Sequence, residues 1–162
     1  MSATSVRPVE LADFVATIDV AAASGRIAAG SLAGDSVILE PSGDLVSRLP
    51  EHPFGVLCVA WSPNGRLLAS GSDDGAVRLW DVSVPRSGAN PLARLDGHTD
   101  FITAVSFSPD GTMIASTSLD GTLRLWAVAT PPPACSRPAR RLASSGFSSM
   151  LSVHRLAPVS ST

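Results

Sequence analysis

A histidine, a serine and an aspartate recur as a set twice in this 162-residue chain, as His52, Ser70 and Asp74 and again as His98, Ser116 and Asp120. Brought together at one site, these side chains can run nucleophilic chemistry, with histidine taking the serine proton and the carboxylate holding the ring. Two features favour a structural role. Each set carries a tryptophan, Trp80 or Trp126, ten residues beyond its serine and six beyond its aspartate, and neither serine lies in a Gly-x-Ser-x-Gly turn. An indole N–H only donates, a hydroxyl donates and accepts, a neutral imidazole does one of each, and a carboxylate accepts. A chain of hydrogen bonds from Trp to Ser to His to Asp therefore satisfies all four groups. One structural cause explains both copies, and we expect no enzyme here.

Other chemistries find few residues to use. The chain has no lysine and no tyrosine, which removes phosphate-loop and Schiff-base lysines and tyrosine general acids. Cys58 and Cys135 lie far apart with no histidine at metal-ligand spacing, so neither a disulfide framework nor a zinc site is expected, and Cys58 reads as a small core residue. Asp73, Asp74, Asp110 and Asp120 could be imagined around calcium, but each lies within two residues of a glycine at a strand junction and reads as a turn former. We expect no metal and no cofactor. A net charge of -2 gives no reason to expect nucleic acid. No apolar run approaches the roughly 18 residues of a membrane span, and Glu10, Asp13 and Asp19 interrupt the stretch where a secretory signal would lie. An intracellular, cytoplasmic location is the expectation.

The elements that must hold these residues are legible in the repeat. Val56 to Val82 aligns without gaps to Ile102 to Val128, with an offset of 46 throughout, as from Trp80 to Trp126. Each copy reads as three short strands; in the second these are Ile102 to Phe107, Met113 to Ser118 and Thr122 to Ala127. Asn64-Gly65, Asp74-Gly75, Asp110-Gly111 and Asp120-Gly121 supply tight turns between them. Leu92 to Leu95 suggests a fourth strand, after an exposed loop that includes Val84 to Pro91. The strands are apolar nearly throughout, the pattern of a small sheet buried on both faces between others. Residues 1–50 read as a third, degenerate copy. Placing Gly25 on Gly65, an offset of 40, puts Glu40 at the tryptophan position and leaves Leu45 to Leu49 as a fourth strand. Thr130 to Thr162 hold five prolines, eight serines, four arginines and no acid, the composition of a disordered tail, in which Arg137, Arg140 and Arg141 read as solvated.

Gly97-His98, the turn Ser108-Pro109-Asp110-Gly111 and Trp80-Asp81, at this spacing, resemble the WD-repeat β-propeller family. The resemblance is strong over 51–128 and weaker over 1–50. Glu51 stands where a glycine is usual before His52, and Ala127 replaces the aspartate of the second Trp-Asp pair. It implies an all-β fold: an incomplete WD-repeat propeller of two to three four-stranded antiparallel blades, followed by the tail at 129–162. It implies that His52, Ser70, Asp74 and Trp80 form one structural network, and His98, Ser116, Asp120 and Trp126 the next. It also implies a partner-binding surface on the loops that join blades and link second to third strands, where Phe54, Asp73, Phe101 and Leu119 fall.

A closed propeller needs about four to eight blades. We therefore expect a fragment or truncated form of a larger propeller protein, or a chain that completes a ring by self-association or by stacking on another protein's blades. The function expected is a protein-interaction scaffold. The alternative is the non-catalytic regulatory repeat module of a larger enzyme, such as a kinase or ubiquitin-ligase component.

Overall fold

A computed structural model describes residues 8–49, 52–83 and 90–128. The expected tail and most of the Val84 to Pro91 loop lie outside the described residues. Among the described residues eleven strands form three antiparallel sheets, each strand paired with its neighbour in sequence. The first sheet holds β1 (Val15–Val20), β2 (Ile27–Ser31), β3 (Ser36–Leu39) and β4 (Leu45–Leu49). The second holds β5 (Val56–Trp61), β6 (Leu67–Ser72), β7 (Val77–Asp81) and β8 (Ala93–Leu95). Among the described residues the third holds β9 (Ile102–Phe107), β10 (Met113–Ser118) and β11 (Leu123–Ala127).

Turn chemistry makes each sheet a meander. Gly65 and Gly111 adopt φ of 67° and 73°, a left-handed conformation that costs glycine nothing. Asn64 Oδ1 accepts the Arg66 N–H, and Asp110 Oδ1 accepts that of Thr112, at 3.0 Å each, so both side chains close the turns they sit in.

The sheets stack face to face through their first strands, β5 packing on β1 and β2, and β9 on β5 and β6. Two apolar layers result. One joins Ala21, Ala28 and Ile38 of the first blade to Val56, Val59, Trp61, Leu68 and Trp80 of the second. The other joins Cys58, Leu67, Ala69, Val77 and Leu79 to Ile102, Ile114 and Trp126 of the third. Burial on both faces holds for the middle blade, where all six residues of β6 are buried. It does not hold for the outer blades, where among the described residues no further sheet covers β1 or β9 and both strands have exposed side chains. Polar stitches cross the first layer as well: Asp19 Oδ2 accepts the Trp61 backbone N–H at 2.7 Å, and the Asp19 carbonyl accepts its indole N–H at 3.2 Å.

The first blade corrects the alignment drawn from sequence. Ile27 pairs with Leu39 as Leu68 pairs with Trp80, an offset of 41, so Leu39 and not Glu40 holds the tryptophan position. The turn causes the slip: the Gly25 N–H bonds the carbonyl four residues back at Ala21, whereas that of Gly65 bonds Ser62, three back. By the same register Ala29 and Ala33 stand where the second blade has Ser70 and Asp74. The first blade is tied instead by Arg26, which bonds Glu40 at 2.8 Å, and by Asp35, which accepts from Ser31 Oγ and from the Ala12 N–H.

Candidate functional site

Two buried networks occupy the second and third blades. In the third, Trp126 Nε1–H donates to Ser116 Oγ at 2.8 Å, His98 Nε2 lies 2.9 Å from the same oxygen, and His98 Nδ1 lies 2.9 Å from Asp120 Oδ2. A neutral His98 that gives its Nδ1 proton to Asp120 leaves Nε2 to accept from Ser116, and the order Trp to Ser to His to Asp is unbroken. Asp120 also accepts from the Thr99 and Thr122 N–H groups and the Thr122 hydroxyl. The Thr122 hydroxyl above all, with His98 and these N–H groups, holds its carboxyl far below the usual range.

The second blade begins alike. Trp80 Nε1–H donates to Ser70 Oγ at 2.8 Å, and His52 Nε2 lies 2.8 Å from it. The direct contact of His52 with Asp74 is absent from the bonds of this network: Arg78 Nη1 lies 2.7 Å from His52 Nδ1 and 3.2 Å from Asp74 Oδ1, and Nη2 lies 2.6 Å from Asp74 Oδ2. Arginine only donates, so His52 accepts at Nδ1 and carries its proton on Nε2, the reverse of the assignment in the third blade. Burial first, and the Arg78 charge second, push the His52 imidazole down to about 4. Burial works against the Asp74 charge, but the Arg78 hydrogen bonds and the Ala76 N–H outweigh it and hold the carboxyl below its usual range.

Position 76 separates the two designs. Thr122 hydrogen-bonds Asp120 and approaches His98 Nδ1 to 3.1 Å, whereas its counterpart Ala76 has no hydroxyl, and the guanidinium takes the place between ring and carboxylate. Arg124, the counterpart of Arg78, has a buried Nε with no hydrogen-bond partner among the described residues. Trp126, Ser116, His98 and Asp120 are thus joined directly in the third blade; in the second Trp80, Ser70 and His52 are, and Asp74 joins only through Arg78, the member that the repeat spacing did not single out.

This arrangement has no nucleophile to offer. Ser70 and Ser116 are fully buried beneath their tryptophans, and each oxygen already has a histidine and an indole as partners. Asp74 and Asp110, weighed earlier against calcium, accept N–H bonds from Ala76 and Thr112. Among the described residues no three histidine, cysteine or acidic side chains stand as a metal-binding group, and no helix is long and apolar enough to cross a membrane. Burial pushes the Cys58 thiol up to about 12, which leaves it inert.

The four residues expected to meet a partner lie at the loop ends of the blades. Phe54, Phe101 and Leu119 are exposed, Asp73 is half-buried, and the Leu119 N–H bonds the Phe101 carbonyl at 3.0 Å. The Asp73 and Leu32 N–H groups make the equivalent bonds to Gly55 and Phe14. Exposed Phe14 and Leu32 therefore occupy in the first blade the place that Phe101 and Leu119 hold in the third. The sequence reading missed this pair because the first blade lacks the network residues that mark the position.

Three antiparallel sheets stacked face to face, two of them pinned by a Trp-Ser-His tie, define a segment of a β-propeller. Residues 43–81 and 89–127 match the family model for the WD domain, G-beta repeat, and the chain belongs to the WD-repeat β-propeller family. It is 50% identical over 42 residues to the WD repeat-containing protein 26 homolog of Arabidopsis thaliana, a stretch covering 25% of this chain and 7% of that protein. It is 59% identical over 35 residues to ribosome biogenesis protein BOP1 of Rattus norvegicus, covering 22% and 5%. It is 51% identical over 41 residues to the probable cytosolic iron-sulfur protein assembly protein 1 of Cryptococcus neoformans, covering 25% and 8%. The matched stretch thus spans less than a tenth of each curated relative. The fold is similar to that in a crystal structure of RRP9 WD40 repeats, with a TM-score of 0.68 and 23% identity over 75% of this chain and 37% of that one.

Proposed function

We propose that this chain is a non-catalytic scaffold for protein–protein interaction, forming three blades of a larger propeller and presenting the loop ends of those blades to a protein partner. One observation carries the reading: the reactive side chains are turned inward and consumed by hydrogen bonds, while large apolar side chains stand exposed at one end of the blades. Phe14 and Leu32, Phe54, and Phe101 with Leu119 make up that apolar set, and Asp73 adds a carboxylate beside it. Large apolar side chains exposed beside polar groups are a usual mark of a protein-binding site. The net charge of -2 favours a protein over a nucleic acid. A matched relative whose name includes the word cytosolic agrees with an intracellular role.

The test compares proteins retained from cell extract by the wild-type chain, by a Phe101→Asp/Leu119→Asp variant and by an Asp110→Asn control at the opposite loops. All three substituted side chains are exposed, so the fold survives. A specific partner held by wild type and control, and lost by the double variant, is expected. Equal retention by all three overturns the proposed surface.

A further inference from the structure

The two blade interfaces share one contact. The first residue of each incoming sheet, Val56 or Ile102, is fully buried against a glycine in the second strand of the preceding sheet. A Cβ built on Gly30 would lie 2.6 Å from Val56 Cγ1, and one built on Gly71 would lie 2.5 Å from Ile102 Cγ2 and 2.6 Å from Cys58 Sγ. Neither glycine has a positive φ. Both are there for close approach, each forming a socket for a β-branched knob.

The outward faces carry the same parts unevenly. Val15 pairs with Ser31 as Val56 pairs with Ser72 and Ile102 with Ser118, so Val15 is the knob of the first blade. It is 55% exposed, and beside it Ile18 and Val20, at 65% and 54%, stand where the second blade buries Val59 and Trp61. At the other end of the stack the socket position, one residue before Ser118, is Thr117. Its side chain is present on the face, with Oγ1 2.8 Å from Thr103 Oγ1, and Ala104 opposite it replaces the bulkier Cys58.

We propose that the outward face of the first blade, formed by Val15, Ile18, Val20, Ile27 and Leu39, docks a WD-type blade of another chain that carries glycine at the socket position, and that the third blade of a second copy of this chain is shut out by Thr117. The face continues the geometry of two interfaces already in the molecule, which states the shape and chemistry of what covers it. Head-to-tail stacking of identical copies would drive the Val15 methyls into the Thr117 side chain, an overpacked contact.

Sedimentation velocity on the full 162-residue chain tests this, with the Thr117→Gly variant as the glycine-bearing blade. That variant should self-associate at a concentration at least about tenfold below wild type, Thr117→Ala should show no such gain, and Val15→Asp placed in the Thr117→Gly chain should reverse it. A glycine in β10 could loosen the blade, so a reciprocal variant shortens the knob instead. Val15→Ala, at an exposed site, should strengthen association with Thr117 intact. The proposal is overturned if wild type associates as readily as Thr117→Gly, if Thr117→Ala gains as much, or if Val15→Asp changes nothing. Should Thr117→Gly lose its fold by Trp126 fluorescence, Val15→Ala decides, and no gain there counts against the proposal. None of these residues belongs to the loop-end surface, so failure here leaves the scaffold reading standing.

Discussion

Arg78 Nη1 lies 2.7 Å from Nδ1 of His52, and the same guanidinium is paired with Asp74 at 2.6 Å, so a cation stands where the third blade joins ring and carboxylate directly. Both side chains of the ion pair are more than nine-tenths buried. Removing Arg78 leaves the buried Asp74 charge only the half-exposed Arg94, whose Nη2 lies 3.6 Å away, as a cation.

Arg78→Met should therefore destabilise the chain by about 3–5 kcal/mol. Arg124→Met, at the counterpart whose Nε has no hydrogen-bond partner among the described residues, should fall within about 1 kcal/mol of wild type. Urea denaturation of the two variants checks the contrast; equal losses would mean that the guanidinium of the second blade has no special place in its network.

Acid should weaken the fold through His52. Its pKa falls from 6.5 in the unfolded chain to about 4 in the fold, so the unfolded state binds the proton first. The stability that the neutral ring confers is complete above pH 6.5 and is lost as pH falls from 6.5 towards 4. A histidine NMR titration should find the His52 ring uncharged at pH 5, and His52→Gln should flatten the pH dependence of stability across that window. A midpoint near 6.5 in the native protein would contradict the burial and the Arg78 contact together.

Ser116→Ala leaves two buried groups without their partner, the Trp126 indole N–H and His98 Nε2. A loss of about 1–3 kcal/mol is expected for each group so orphaned. Thermal unfolding followed by tryptophan fluorescence measures it, and a Ser116→Cys variant, which keeps a weak donor, should recover part of the loss.

The Gly71 socket predicts a coupling. Gly71→Ala should cost about 1–3 kcal/mol by forcing a methyl onto Ile102. With Ile102→Ala already present the same change should cost less, giving a double-mutant coupling of about 1 kcal/mol or more. Additive losses would place the strain elsewhere.

The residues explain which of these features were legible in sequence. Strands β9 and β10 fall at Ile102–Phe107 and Met113–Ser118, as the apolar runs between Asp-Gly turns indicate, and β4 falls at Leu45–Leu49. The fourth strand starts at Ala93, one residue inside the expected Leu92, whose N–H still bonds the Leu79 carbonyl. Each Trp, Ser and His was legible as a set through the repeat spacing and the family resemblance it carries, because strand pairing preserves the distances that an exact repeat repeats. Arg78 escaped notice because Arg124 occupies the same place in the other copy and looks like an ordinary strand polar residue. The signal was the single change from Ala76 to Thr122, which decides whether a hydroxyl or a guanidinium meets the aspartate. The register of the first blade is not legible from Gly25, because glycine can serve at either of two adjacent turn positions and Gly25 sits one place later in its turn than Gly65.

Exchange of the three indole N–H protons with solvent deuterium, followed by NMR, tests most directly the claim that the repeated polar sets are internal ties. The Trp80 and Trp126 protons should exchange orders of magnitude more slowly than a free indole, and Ser70→Ala or Ser116→Ala should release the proton of its own blade first. Exchange of either indole at the rate of an unprotected side chain in the native protein would contradict the networks and the blade stacking built around them.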